Sequence, residues 1–388
     1  MSRQKVLDEM IATGISSSKL DGAMPAIDGS AITGVGDGVT KSANDPATNT
    51  NPSGGVGTVW LNTSSGEMFC CTDATTDENV WVNIGGGSGD VAPISYNYVG
   101  DRGLIAGGYT GSYSNSIEYW STPTQGDGIT FGNLQVASIE QSGSSGGGRG
   151  LVMGGYRVSP NTELSKIDYV TIASLGNSTT FGDLTEISSG VGSVCSNERA
   201  IRIGGYAGAS VKQNTMDFVT IATTGDAQDF GDMLSAKLGV VGANHFSRGT
   251  LWGGNNGSDI NSIEYITIAT AGNAVDFGNM TASKRNRTCN VSETRATGAG
   301  GYTSTNMIDY VTIATTGDAQ DFGDLELSVH ASANGNCGNL TTGVVASGYA
   351  GPGNYTTSLQ SYTIATTGNA STFGNLQTGR YSVAGFSG

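Results

Sequence analysis

The residues able to do chemistry in this chain are few and scattered. Among 388 residues there are two histidines, His245 and His330, and five cysteines, Cys70, Cys71, Cys195, Cys289 and Cys337. Two isolated histidines assemble neither a His-rich metal site nor a nucleophilic triad; both fall in or near the innermost strands of the repeat described below and are expected to line its channel. An odd cysteine count without zinc spacing speaks against a disulfide framework and against a C-x-x-C site. Cys195, Cys289 and Cys337 occupy equivalent parts of the repeat, where small buried thiols are expected. The acidic turns from Asp226 to Asp232 and from Asp318 to Asp324 offer clustered oxygens of the kind calcium favours. Other units replace several of these acids by Asn, Ser, Thr or Val, so a structural turn is expected instead. No Walker loop, H-E-x-x-H or G-x-S-x-G stands in its proper context. The reading is therefore a non-enzyme with no catalytic residues, no metal and no cofactor. One more set recurs: Arg102, Arg149, Arg199, Arg248 and Arg295, with Thr342 at the sixth place. A ring of guanidinium groups would suit an anionic ligand, whereas five strand caps would bond nearby turn carbonyls or carboxylates; the second is favoured.

The elements that carry these residues repeat six times. Each unit has a glycine doublet, ending at Gly108, Gly155, Gly205, Gly254 and Gly301, with Ser347-Gly348 in the last. Each has an aromatic in a β-branched run, at Tyr119, Tyr169, Phe218, Tyr265, Tyr310 and Tyr362, and a Phe-Gly-Asp/Asn beginning at Phe131, Phe181, Phe230, Phe277, Phe322 and Phe373. The aromatic-to-Phe interval is 12 residues in five units and 11 in the last, so that hairpin is fixed. Only the doublet-to-aromatic stretch varies, which marks one loop per unit as free to change length. A period of this size with four short β segments matches propeller blades, each needing neighbours to bury its faces. The fold class predicted is all-β: a six-bladed β-propeller of four-stranded blades, preceded by a short N-terminal helix and linker and by a small β module. The boundaries predicted are 1–54 for the helix and extended segment, 55–90 for the module and 91–388 for the propeller. Residues 379–388 would close the ring beside Leu104-Ile105-Ala106, with 94–98 as the competing closing strand. The doublet, the tyrosine and the recurring large aromatic resemble kelch-type propellers over about 93–388, with Phe where kelch repeats carry Trp.

Composition narrows the partners. A formal charge of −15 with 18 basic residues and no basic cluster lacks the footprint that nucleic acid requires, and no apolar stretch reaches the roughly 18–20 residues that span a bilayer. Near the N-terminus Val6, Leu7, Met10 and Ile11 stand at helical spacing; a helix so short needs a partner or a symmetry mate to pack on. The string Leu20-Asp21-Gly22-Ala23-Met24-Pro25-Ala26-Ile27-Asp28-Gly29-Ser30-Ala31-Ile32-Thr33 is similar to sequences of phage tail-fibre proteins. The stretch 42–55 suits an extended linker. Beyond it, 57–73 and 80–85 resemble small β modules of phage fibres and some carbohydrate-associated proteins. Trp60 and Trp81 there are expected to form a small core, a sugar-stacking platform being the alternative.

These resemblances imply a virion protein, a tail fibre or appendage that docks on other virion proteins through Val6, Leu7, Met10 and Ile11, and a homo-oligomer is expected. In a four-stranded meander the variable loops, 110–116, 157–166, 207–215, 255–262, 303–307 and 350–360, emerge on one face. Loops on a rigid scaffold commonly carry recognition, and Tyr113, Arg157, Lys212 and Tyr355 are the residues there best suited to anchor a host surface glycan or protein. Two other functions remain open: a capsid or tail component that meets only virion proteins, and a propeller enzyme acting on carbohydrate.

Overall fold

The computed structural model describes residues 39–84, 99–208, 211–330 and 334–388. Val6, Leu7, Met10 and Ile11, the 20–33 string and the competing strand at 94–98 lie outside the described residues. The chain divides into two units, Met1–Ile94 and Ser95–Gly388.

In the first unit Thr40–Ser42, Val59–Asn62, Met68–Asp73 and Val80–Asn83 form one sheet in that order, the first pair parallel and the rest antiparallel. The sheet therefore begins well before residue 55. The polar stretch expected to be a linker is pinned to it. Trp60 Nε1 donates to the Asn44 carbonyl at 2.9 Å, Asn62 Nδ2 to Asp45 Oδ1 at 2.7 Å, and the buried Asn79 Nδ2 to the Thr48 carbonyl and to Asn51 Oδ1, both at 2.7 Å. Phe69, Cys71 and Trp81 are fully buried, and Trp60 packs edge-on against Trp81 with centroids 5.8 Å apart. Both tryptophans thus belong to the core of this sheet, as the core reading expected.

The second unit is a β-propeller; among the described residues it shows six antiparallel sheets, which we number as blades 1 to 6. The C-terminal strand Ala384–Ser387 is the innermost strand of blade 1, pairing Ala384 with Ala106 and Phe386 with Leu104. This is the predicted closure. Three hydrogen bonds repeat at every junction between blades and run full circle. The Phe of the Phe-Gly-Asp/Asn motif accepts, through its carbonyl, from the glycine N–H in the next blade's outer turn: Phe131 from Gly176, Phe181 from Gly225, Phe230 from Gly272, Phe277 from Gly317, Phe322 from Gly368 and Phe373 from Gly126, at 2.7–3.3 Å. Two residues beyond the Phe, a backbone N–H donates to the side chain of the Asn or Asp that follows that glycine, as Asp183 does to Asp226 at 3.0 Å and Asn375 to Asp127 at 2.8 Å. The carbonyl of that same residue accepts the return bond, as at Asn133 from Ser178 and Asp183 from Ala227. These turn side chains therefore bond the neighbouring blade, where satisfaction of their own turn was expected. They also show why the motif needs glycine: a Cβ on Gly182 would stand 2.1 Å from the Gly225 carbonyl oxygen, and one on Gly132 2.0 Å from that of Gly176.

The five repeating arginines belong to the same fastening. Arg102, Arg149, Arg199, Arg248 and Arg295 lie over the aromatic of their own blade at 4.5–4.9 Å. Each also donates to a strand-end carbonyl of the next blade, from Arg102 to Ile172 at 2.6 Å through Arg295 to Ile364 at 3.2 Å. They are strand caps and cation–π partners. Blade 6 lacks both halves of this contact. Thr342 replaces the arginine, and the one-residue shortening of the hairpin puts Ser361 opposite Ser371, where blade 1 puts Tyr119 opposite Ile129. Side chains alternate along a strand, so Tyr362, taken from the sequence as the equivalent aromatic, turns inward. It is buried with its hydroxyl on Thr297 Oγ1 at 2.6 Å and Asn290 Nδ2 at 3.2 Å.

Blade 6 also departs from four strands: among the described residues it has three, Thr342–Gly351, Asn354–Thr363 and Ser371–Asn375, whereas blade 2 has five, with a short extra strand Tyr156–Val158. Of the described residues that precede the blade 6 strands, Asn334 N–H donates to the Val383 carbonyl and Gly338 N–H to Asn290 Oδ1, both in neighbouring blades. The inner strands are otherwise as small as crowding at the axis requires. A Cβ on Gly242 would lie 2.0 Å from the Ser193 carbonyl oxygen, and Cys195, Cys289 and Cys337 are fully buried. Burial pushes the Cys195 and Cys289 thiols up to about 12, which makes them inert packing residues.

Candidate binding face

On the face where the variable loops emerge, each blade presents one position, and five of the six a second, in a fixed relation. The first is the residue after the glycine doublet: Tyr109, Tyr156, Tyr206, Asn255, Tyr302 and Tyr349. The doublet places it there because both glycines have positive φ, 71° and 98° at Gly107 and Gly108, which side chains disfavour. The residue then pairs with the incoming connection from the preceding blade: Tyr109 with Tyr381, Tyr156 with Ile139, Tyr206 with Ser189, Asn255 with Leu238 and Tyr349 with His330, while Tyr302 N–H donates to the Arg285 carbonyl. The second position is its partner across the loop hairpin, Tyr113, Glu163, Lys212, Asp259 and Tyr355 in blades 1, 2, 3, 4 and 6. Directly opposed residues of an antiparallel pair project to one side, so both positions display their side chains together.

Over blades 5, 6, 1 and 2 the rings join into one arc. Tyr156 meets Tyr113 at 6.4 Å, Tyr113 meets Tyr109 at 5.9 Å, and Tyr109 meets Tyr355 and Tyr381 at 5.6 and 5.5 Å. Tyr349 touches Tyr355, Tyr381 and His330 at 6.2, 5.7 and 4.8 Å, and His330 meets Tyr302 at 5.3 Å. Arg285 closes the arc over Tyr302 at 3.7 Å, its charge paired with Asp259 at 2.5 Å. Four of these ring contacts are edge-to-face, Tyr109 with Tyr113 and with Tyr355, Tyr349 with Tyr381 and Tyr302 with His330, and the others are tilted; edge-to-face aromatic pairs add about 0.5–1.5 kcal/mol each beyond burial. Among the described residues no ring contact joins Tyr206 to the arc.

Loop length shapes the same face. The hairpins of blades 2, 3 and 6 continue as ladders past the doublet, to Val158 opposite Asn161, Ala207 opposite Val211 and Gly351 opposite Asn354. Blades 1 and 4 make short loops closed by single bridges, Tyr109 with Tyr113 and Asn255 with Asp259. Tyr109 and Tyr113 therefore lie between the longer hairpins of blades 6 and 2.

Inside the arc four backbone bonds run part of the way around the axis. Glu140 N–H donates to the Ser382 carbonyl at 3.1 Å, Gly190 to Glu140 at 2.9 Å, Gly239 to Gly190 at 2.8 Å and Asn286 to Gly239 at 2.8 Å. Glu140, Asn286 and Ser382 hold positive φ here, and they share a small central cavity with Gln141, Arg287 and Asn334. Glu140 is the acid of this mouth. Burial pushes its carboxyl up, opposed by a hydrogen bond from Ser189 and reinforced by Glu163. Burial also raises the Tyr113 and Tyr381 hydroxyls, with Glu140 adding to both.

No family model and no curated protein matches the sequence. The fold, however, has solved counterparts. One, described as "Structure of YjhT", is a β-propeller superposing with a TM-score of 0.58 over 72% of this chain and 98% of its own, at 11% identity. At that identity the likeness speaks for the propeller alone.

Of the residues singled out from sequence, Tyr113 and Tyr355 belong to the arc and meet through Tyr109. Lys212 takes the same cross-hairpin position in blade 3, outside the arc. Arg157 does not join them. It neighbours Tyr156 on one strand, so alternation points it away from Tyr156, and it lines a depression with Glu163, Lys166, Thr180 and Ile187. His330 stands in the arc instead of lining the channel, with burial pulling its imidazole down and Arg285 assisting. His245 is buried at the opposite end of the inner strands, its Nε2 within 3.1 Å of the Glu293 carbonyl.

Four buried cations had no place in the sequence reading. Arg202 pairs with Asp217 at 2.6 Å, Lys237 with Glu264 at 2.5 Å, Arg287 with Asp309 at 2.7 Å, and Arg380 with Glu118. Each acid precedes the blade aromatic, or the Phe in blade 3, and also accepts from a neighbouring connection, as Asp217 does from Thr185 N–H. The signal available was the acid itself, Glu or Asp one residue before the aromatic in five of six units.

Proposed function

We propose that this chain is a non-enzymatic structural protein of a phage-like particle, a tail fibre or related appendage, whose loop face recognises a host surface glycan. The observation that carries the recognition half is the aromatic arc over blades 5, 6, 1 and 2. Rigid, half-exposed tyrosines give large contact area at little entropic cost, and they stack on sugars as readily as on peptide. The virion half is supported by the fibre-like string at 20–33 and the small β module, and docking through Val6, Leu7, Met10 and Ile11 belongs to that half.

The test uses the full chain with a panel of bacterial surfaces and isolated glycans. Saturable binding that falls at least about tenfold in Tyr113→Ala and Tyr355→Ala, with the circular-dichroism spectrum kept, is the expected result. Association with virion proteins alone, or turnover of a carbohydrate substrate, would overturn it. Labelled protein imaged on intact particles checks the docking half independently.

A further inference from the structure

Among the described residues Glu140 forms no ion pair, since Arg287, which lines the same mouth, is paired with Asp309. Glu140 stands in the central mouth between two tyrosine-bearing pairs: Ile139 exchanges backbone bonds with Tyr156 at 3.0 and 2.8 Å, and the Ser382 that holds Glu140 follows Tyr381, which exchanges bonds with Tyr109 at 2.9 and 3.2 Å. Tyr113 joins these rings, touching Tyr156 on one side and Tyr109 on the other. Opposite Tyr156 in the blade 2 hairpin is a second acid, Glu163. Among the described residues neither Glu140 nor Glu163 makes an ion pair, whereas the acids paired with Arg202, Lys237, Arg287 and Arg380 are all matched inside the protein. Of the basic groups of this face, Lys284 and Arg285 lie at the far end of the arc and are spent on the Tyr302 carbonyl and on Asp259, Arg287 at the mouth is paired with Asp309, and Lys212 stands in blade 3 outside the arc.

We propose that the Tyr109, Tyr113, Tyr156, Tyr381 and Glu140 end of the arc binds an organic cation, an alkylated ammonium group carried by the surface ligand. Tyrosine faces attract a cation through their quadrupoles, and the attraction grows as water is excluded. The carboxylate supplies the compensating charge that the fold leaves unmatched. A quaternary group suits the site better than a bare ammonium ion, because the site offers ring faces and one carboxylate where an ammonium ion seeks several acceptors. The chain's net charge of −15 favours the approach of a positively charged ligand.

This deepens the recognition reading and rests on the loop face being the binding surface. The test titrates the full chain with choline and with its neutral isostere 3,3-dimethylbutan-1-ol, followed by tyrosine fluorescence and calorimetry. Choline should saturate, and the isostere should bind roughly tenfold more weakly or worse. Glu140→Gln should weaken choline about tenfold without loss of fold; Tyr113→Phe should retain it and Tyr113→Leu should not. Equal binding of the isostere, no saturation by choline, or an unaffected Glu140→Gln variant overturns the inference. Adding choline to the cell-binding assay separates the two claims. Cell binding untouched by saturating choline sinks the cation site and leaves surface recognition standing, whereas choline binding by a chain that adheres to no cell keeps the cation site and sinks surface recognition.

Discussion

The two rims of the propeller are built from the same repeat and behave oppositely. On the rim of the outer turns, the Phe-Gly-Asp/Asn motif and the turn that receives it make the same three bonds at all six junctions. On the loop rim, the position facing the post-doublet residue is Tyr, Glu, Lys, Asp and Tyr in the blades where it pairs. Uniformity is what closure demands, since six identical interfaces are the simplest way to complete a circle. Variation is what recognition demands, and it is confined to residues whose backbone is already held by the doublet and the incoming connection. The propeller thus separates fastening from display by face.

The contrast can be broken most severely between the rims, at the buried pairs. Arg202→Met leaves Asp217 charged and unmatched, and should cost about 3–5 kcal/mol, read by denaturant unfolding; adding Asp217→Leu should recover most of it. Gly182→Ala forces a methyl against the Gly225 carbonyl and should cost about 1–3 kcal/mol, while the same change at the open Gly111 of the loop rim clashes with nothing, leaving only its φ of 104° to pay. Asn273→Ala removes one acceptor at one junction, a loss of about 1 kcal/mol in the same measurement. Smallest, and opposite in sign, is Glu140→Gln. A carboxyl raised by folding favours the folded state most when protonated, below its ordinary range, and that contribution is lost as pH rises through the folded value. The variant should therefore melt higher than the parent near pH 8, with the gap closing towards pH 3, in a calorimetric pH series. A gap that widens on acidification would show that the mouth stabilises the ionised form.

What the sequence made legible follows the same division. The fastening rim could be read because Phe, Gly and Asp/Asn recur at fixed intervals, and because glycine at a fixed interval signals a close approach of backbones. The closing strand was legible too, since Tyr381 to Phe386 repeats an inner-strand pattern beyond the last blade. The display rim was legible only as loop-length variation. That pointed to Tyr113, Lys212 and Tyr355, which do share one structural position, but it could not tell which side of a hairpin Arg157 faces. The tyrosine after the doublet recurs in five units, but a residue that follows a turn carries no periodicity to say that its ring meets those of other blades. The buried cations were illegible for a different reason. Lys237, Arg287 and Arg380 sit in irregular connections, where no periodicity says whether a charge points inward. In blade 6 a single missing residue moved Tyr362 from one side of the strand to the other, which a count of landmarks cannot register but alternation explains.

Ala384–Ser387 and its partners Gly103–Ala106 are separated by nearly the whole array. Contacts so distant along the chain are made late and slowly, after much loop entropy has been surrendered. Until that joint forms, the blades at either end each present a bare edge. The assembled propeller should consequently melt as a single cooperative block, unlike a linear stack of repeats that frays from its ends.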